Sequence, residues 1–132
     1  MKKHAEIRRT LITALKSHIR GAAFHDGRPV FIDEKELPAV AVYLSDARFS
    51  GSYLDAENWQ ATLHIEVFLS ASHPDTALDE LMDSHILPAI SNMPELSSVI
   101  ETLTPLGYDW QRDNEMANWG SADLTYLITY QM

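Results

Sequence analysis

The stretch Trp59–Leu69 constrains this chain more than any other. Trp59, Ala61, Leu63, Ile65, Val67 and Leu69 recur at every second position, with Gln60, Thr62, His64 and Glu66 between them until Phe68. Successive side chains of an extended backbone point to opposite faces. Period two over these eleven residues therefore predicts a long strand with one apolar and one polar face. A strand of that length crosses a whole sheet and is expected to pair on both sides. Its apolar face needs a second layer to cover it.

Segments with helical period supply that layer. Ile7, Leu11, Ile12, Leu15 and Ile19 follow the 3.6-residue repeat, and Gly21 is the expected stop. Lys16, His18 and Arg20 complement the negative end of that helix. Leu78, Leu81, Met82, His85 and Ile86 mark a second helix, with Asp75, Asp79 and Glu80 near its start and Pro88 ending or kinking it. Pro94-Glu95 opens a third, carrying Leu96, Val99, Ile100 and Leu103 and stopped by Pro105 and Gly107. Further strands are expected at Ala39–Leu44, a continuous apolar run, at Leu106–Arg112, and at Ala122–Tyr130, which alternates again.

The connections are less uniform. Asp26-Gly27 between Ala22–Phe24 and Pro29–Ile32 predicts a hairpin. Asp33–Glu36 reads as a loop. Asp46–Asn58 is either the end of a strand or a long connection, and the polar span Asp113–Ser121 is a loop long enough to move on its own. The whole predicts an α+β fold: a largely antiparallel or mixed β-sheet with helices packed on one face, in a single domain over residues 1–132.

Composition narrows the function classes. With no cysteine there is no disulfide framework, thiolate metal site or Cys nucleophile. No apolar run reaches the ~18–20 residues of a membrane span, and Met1–Thr10 is charged, unlike a secretory signal. Ten Lys and Arg against 19 Asp and Glu give a formal charge of −9, the wrong sign for wrapping nucleic acid. Six of the ten, Lys2, Lys3, Arg8, Arg9, Lys16 and Arg20, fall within the first 20 positions, as a polar helix face first and a weak anion patch second.

Few residues suggest chemistry. His64 and Glu66 share the polar face of the long strand, and a His–carboxylate pair can bind a divalent metal or move a proton. No third ligand lies near in sequence, so two solvated strand residues explain the pair better. His73-Pro74-Asp75 matches the tripeptide of J-domain co-chaperones, but a long strand rather than a basic helix precedes it, and proline at a helix start accounts for it. Asp75, Asp79, Glu80 and Asp83 form an acidic helix segment, and Asp109, Asp113, Glu115 and Asp123 a second acidic group, without the spacing of a calcium loop. There is no Gly-rich phosphate loop and no G-x-S-x-G elbow. Trp119, in a polar segment, suits a protein interface about as well as a core. These observations leave an assembly or adaptor protein ahead of a small enzyme with a dispersed site.

Several long stretches carry a family resemblance. They are His4 to Leu15, Phe24-His25-Asp26-Gly27-Arg28-Pro29, Phe31 to Leu44 with its Leu37-Pro38-Ala39-Val40-Ala41-Val42-Tyr43-Leu44 core, Trp59 to Leu69, and Trp119 to Tyr130. Over essentially all 132 residues the chain resembles the tail terminator family of lambdoid long-tailed phages, minor tail protein U. The resemblance implies a virion structural protein without catalytic residues, cofactor or dedicated metal. It implies a ring, usually a hexamer, that caps the tail tube, stops its polymerisation and offers the head-attachment surface. The implied partners are other copies of the chain, the tail tube protein and a head-completion or connector protein, with neither nucleic acid nor membrane. The implied location is the virion tail, and the host cytoplasm during assembly. A divalent cation such as Mg2+ is expected at most as an assembly aid. Residues whose pattern does not ask for burial are the candidate interface: Asp26, Gly27, Phe49, Tyr53, Asp109, Asp113, Glu115 and Trp119. The alternatives are a head–tail completion or neck adaptor, and a small metal-assisted hydrolase using His64 and Glu66.

Overall fold

A computed structural model describes residues 2–29, 32–53, 56–112 and 119–132, and for Glu34, Ser52, Tyr53, Arg112 and Trp119 the backbone alone. Helix α1 (Lys2–Lys16) is followed by β1 (Ala23–Asp26), a 3-10 turn (Glu34–Glu36), β2 (Ala39–Tyr53) and β3 (Ala56–Ser70). Then come α2 (Pro74–Leu81), a π-helical turn (Met82–Ile86), α3 (Leu87–Ser91), a 3-10 turn (Leu96–Ser98), β4 (Thr102–Arg112) and β5 (Trp119–Gln131).

The strands form one mixed sheet in the order β1-β2-β3-β5-β4. The long alternating strand is its centre. β3 pairs antiparallel with β2 on one side, from Ala39↔Phe68 to Tyr53↔Ala56, and with β5 on the other, from Asn58↔Gln131 to Ser70↔Trp119. Its apolar positions Ala61, Leu63, Ile65, Val67 and Leu69 are buried with Val40 and Val42 of β2 and Ala122, Leu124, Tyr126, Ile128 and Tyr130 of β5. Both helical segments close over this face. Ile7, Leu11, Ile12 and Leu15 come from α1, and Leu78, Met82, Ile86 and Ala89 from the second helical run. Gly120 lies where Pro74 and Leu78 of α2 pack on β5. A Cβ there would stand 3.2 Å from the Pro74 Cβ and 3.1 Å from the Gln111 carbonyl oxygen, so only hydrogen fits without a shift.

The opposite face holds a smaller apolar cluster, Ala39, Ala41 and Phe68, with Ile32 and Leu37 packed on it. The other positions that β3 gives to that face, Gln60, Thr62, His64 and Glu66, are polar, as its alternation requires.

Two expectations are corrected and one open reading is decided. The hairpin expected at Asp26-Gly27 is not found among the described residues, Val30 and Phe31 lying outside them: β1 pairs parallel with β2, Ala23↔Ala39 to Asp26↔Val42. Gly27 does adopt the positive φ of a turn residue, 106°, but its N–H donates to the Val42 carbonyl and so extends the parallel ladder. The segment opened by Pro94 makes one 3-10 turn, and Leu103 belongs to β4. Leu96, Val99 and Ile100 are nonetheless buried as their spacing implied. Within Asp46–Asn58, residues 46–53 are the outer part of β2 and 56–58 the start of β3, paired antiparallel, with Leu54 and Asp55 outside the described residues. The alternation of β2 is broken by irregularities between Ser45 and Arg48 and between Phe49 and Gly51, and Asp46 takes a positive φ of 54°.

Pro88 does not end its helix. Proline has no N–H to return to the preceding turn. The ladder widens just before it: the Leu87 N–H bonds to the Met82 carbonyl five residues back, and the chain stays helical to Ser91.

Candidate functional site

The sequence-predicted contact residues do not converge on one cleft. Asp26 ends β1 and takes a hydrogen bond from the Arg8 Nε of α1, so its charge is already engaged. Gly27 continues the ladder beside it. Phe49 is 54% exposed near the outer end of the β2–β3 hairpin, edge-on to Trp59 at 5.9 Å between ring centres. Tyr53 is the last residue of β2, opposite Ala56. Asp109 is exposed on β4 directly across from Asp123. Trp119 is the first residue of β5, opposite Ser70. Asp113 and Glu115 lie outside the described residues. Phe49 and Tyr53 thus stand toward one end of the strands and Trp119 at the other.

The open sheet face carries a hydrogen-bonded network that sequence reasoning only partly found. Glu66 is 2% exposed. The Tyr43 hydroxyl donates to its Oε1 at 2.7 Å and the Ser121 hydroxyl to its Oε2 at 2.8 Å, while the Arg28 Nε lies 4.0 Å away. Paired donors and a nearby guanidinium are what a buried carboxylate needs. Burial, followed by the hydrogen bond to Glu66, holds the Tyr43 hydroxyl far above its ordinary pKa.

His64 lies flat on Tyr43, with ring centres 4.4 Å apart and planes 8° from parallel. Its Nδ1 is 2.8 Å from the Asp123 Oδ2, and its Nε2 is 2.6 Å from the Ser45 hydroxyl. The two solvated strand residues that the sequence favoured here are corrected, because Glu66 is buried and both side chains are engaged, with separate partners: His64 serves Asp123 and Ser45, and Glu66 serves Tyr43 and Ser121. Among the described residues no three His, Asp or Glu side chains are grouped to hold a metal ion. Strand alternation places Ser45, His64 and Asp123 on one face, but only the cross-strand register brings them together. Chemically, Ser45–His64–Asp123 is a hydroxyl, a base and an orienting carboxylate in a row.

Two neighbouring apolar grooves lie on the helical side, between the second helical run and edge strand β4. One of about 570 Å³ is lined by Leu87, Pro88, Ile90, Leu103, Pro105 and Tyr126, with Asp83 and Ser91. The other, of about 370 Å³, is lined by Met82, Leu87, Tyr108, Trp110 and Leu124, with Asp79 and Asp83. The Tyr108 hydroxyl and the Trp110 indole N–H both donate to the Asp79 Oδ1 at 3.0 Å, which pins the aromatic wall to α2. Burial, then the hydrogen bond to Asp79, pushes the Tyr108 hydroxyl well above the usual tyrosine range. No signal short of the sheet order announces these grooves, because helix and strand are brought together only by tertiary packing.

The fold defines the class: a small α+β protein with one mixed sheet and one helical layer. Within that class the chain belongs to the phage minor tail protein U family, whose family model matches residues 2–130. It is 52% identical over 130 residues to the tail tube terminator protein of Escherichia phage lambda, covering 98% of this chain and 99% of that protein. It is likewise 52% identical over 131 residues to the tail tube terminator protein of Escherichia phage N15, covering 98% of this chain and 99% of that one. A solved structure titled as the virion of a native gene transfer agent particle shares the fold, with a TM-score of 0.53 at 13% identity over 96% of this chain and 92% of that one.

Proposed function

We propose that this protein is a tail tube terminator of a long-tailed phage. It sits in the virion tail, closes as a ring on the tip of the growing tube, stops addition of tube subunits and offers the head-attachment surface. The observation that carries this reading is 52% identity over 98% of the chain to two proteins named tail tube terminator. Its partners are its own copies, a tail tube protein and a head-completion protein, and the work is binding without bond-making.

The geometry supports a two-sided role. Candidate contact residues stand toward opposite strand ends, Phe49 and Tyr53 at one and Trp119 at the other. A ring of such subunits has two unlike rims. One can match the tube end, and the other lacks the tube's next docking surface, which is how growth stops. Six copies at −9 each carry a formal −54, so self-repulsion opposes ring closure at low ionic strength and magnesium or salt relieves it. Sedimentation at low salt, with and without magnesium, checks this: identical distributions refute the linkage. The reading itself is tested by phage assembly without this protein. Tails of uniform length on infectious particles would overturn it.

A second reading, acyl hydrolysis, is favoured only by the Ser45–His64–Asp123 chain. Release of p-nitrophenol from its acetate ester by the wild type, abolished in Ser45→Ala, would support it. Equal background in both removes it.

A further inference from the structure

Tyr108 and Trp110 make an aromatic corner in the smaller of the two grooves beside β4. They lie two apart on the strand and so share a face. The rings stand edge to face, with centres 4.8 Å apart and planes at 81°. Both donate to the Asp79 Oδ1 at 3.0 Å, which fixes the corner to α2. Met82, Leu87 and Leu124 complete a hollow of about 370 Å³. Trp110 stays 45% exposed within it.

The charges of this hollow have one sign. Asp79 and Asp83 are the charged residues of its lining. Asp83 also borders the larger groove, is exposed, and has no ion-pair partner among the described residues. Residues 49–132 contain Arg112 as their single Lys or Arg, against thirteen Asp and Glu. A cation that complements Asp83 therefore comes from outside this part of the chain. Aromatic walls with a carboxylate at the mouth select a cation on an apolar stem. A guanidinium suits them better than an ammonium: its plane stacks on an indole, its fork matches a carboxylate, and it gives up water more readily.

We propose that this hollow takes an arginine side chain of a different protein: the guanidinium stacks on Trp110 and pairs with Asp83, and an apolar neighbour on the same segment enters the larger groove past Leu87. The methylene stem of the arginine covers Leu87 and Met82 while its head stays at the carboxylate. The chain's own arginines are poorly placed to supply it. Four of the six, Arg8, Arg9, Arg28 and Arg48, already face acceptors in their own copy. The terminator reading is needed here only for the existence of a neighbouring protein, to which this adds the chemistry of the contact.

The probe is the peptide acetyl-Leu-Arg-Leu-amide, with acetyl-Leu-citrulline-Leu-amide as its uncharged counterpart of the same shape. Binding to the full-length protein is followed by NMR on the backbone amide and indole N–H signals. The arginine peptide is expected to shift the Trp110 indole signal, and the citrulline peptide to bind about 10-fold more weakly. Asp83→Asn and Trp110→Leu, both at exposed positions, are each expected to weaken the arginine peptide by about 10-fold, with far-UV circular dichroism checking that each folds like the wild type. Equal binding of the two peptides, binding that survives both variants, or no binding of either peptide overturns the site. Rings that form with the wild type but not with Asp83→Asn place a second copy in the groove and overturn the choice of partner. None of these outcomes bears on the terminator reading, which fails instead if tails assemble normally without the protein.

Discussion

Glu66 offers the sharpest test of what holds the open sheet face together. Replacing it with Ala leaves the Ser121 hydroxyl, itself buried, and the half-buried Tyr43 hydroxyl without their acceptor. A hydrogen bond to a charged group contributes about 1.5–3 kcal/mol, and an unsatisfied buried hydroxyl costs about 1–3 kcal/mol. Water reaches part of Tyr43, and the desolvation cost of the anion itself is recovered, so the net loss is set at about 3–5 kcal/mol. For a domain of this size that lowers Tm by about 10–17 °C. Glu66→Gln keeps the volume and one carbonyl acceptor, and its cost is about 1–2 kcal/mol. Urea unfolding followed by tryptophan fluorescence separates the two through the midpoint, with the slope unchanged. A cycle pairing Glu66→Gln with Tyr43→Phe reads the coupling directly and is expected to be non-additive by about 1 kcal/mol. The reasoning is refuted if Glu66→Ala and Glu66→Gln unfold at the same midpoint, or if the cycle closes additively.

Gly120→Ala should destabilise by about 1–3 kcal/mol, because its Cβ meets Gln111 and Pro74 at the α2–sheet contact. Gly107→Ala meets only the Thr125 Oγ1 at 3.8 Å and should be neutral within about 0.5 kcal/mol. Equal effects in chemical denaturation would mean that α2 does not press on β5 at Gly120. At alkaline pH, Tyr43, Tyr108, Tyr126 and Tyr130 all keep their protons above the ordinary tyrosine pKa, chiefly through burial. The folded state then binds more protons than the unfolded one. This stabilisation is complete below about pH 10 and is lost as pH rises further, by at most about 1.4 kcal/mol per pH unit for each tyrosine and less where solvent screens it. Urea midpoints between pH 9 and about 11.5 check this, and a flat profile would contradict it.

The central strand, the first helix and the one-sided helical layer were legible because each depends on a local period. β3 alternates from Trp59 to Val67, and α1 buries Ile7, Leu11, Ile12 and Leu15, every one of them on the predicted stripe. The outer half of β2 was not legible, because its two irregularities shift the alternation that would have revealed it. The Asp26-Gly27 signal was real in its backbone angle and misleading in its partner. A parallel partner lies many residues away and leaves no local trace. Pro88 forced a departure from α-helical bonding, but whether that departure ends a helix or widens one turn depends on the packing of Ile86 before it and Ala89 after it. The network around Glu66 needed two facts at once. Alternation gives the face of Tyr43, Ser45, His64, Ser121 and Asp123, and register gives their nearness.

Edge strand β4 carries a consequence of its own. Pro105 has no N–H to offer, and the shift between Pro105 and Gly107 leaves Leu106 without a cross-strand partner. A neighbouring molecule trying to zip its backbone onto that margin would meet a missing donor and a jog in spacing midway along. Endless ribbons of stacked copies are discouraged by the same few atoms. A protein whose task is to bring a filament to its last subunit is thereby kept from starting one.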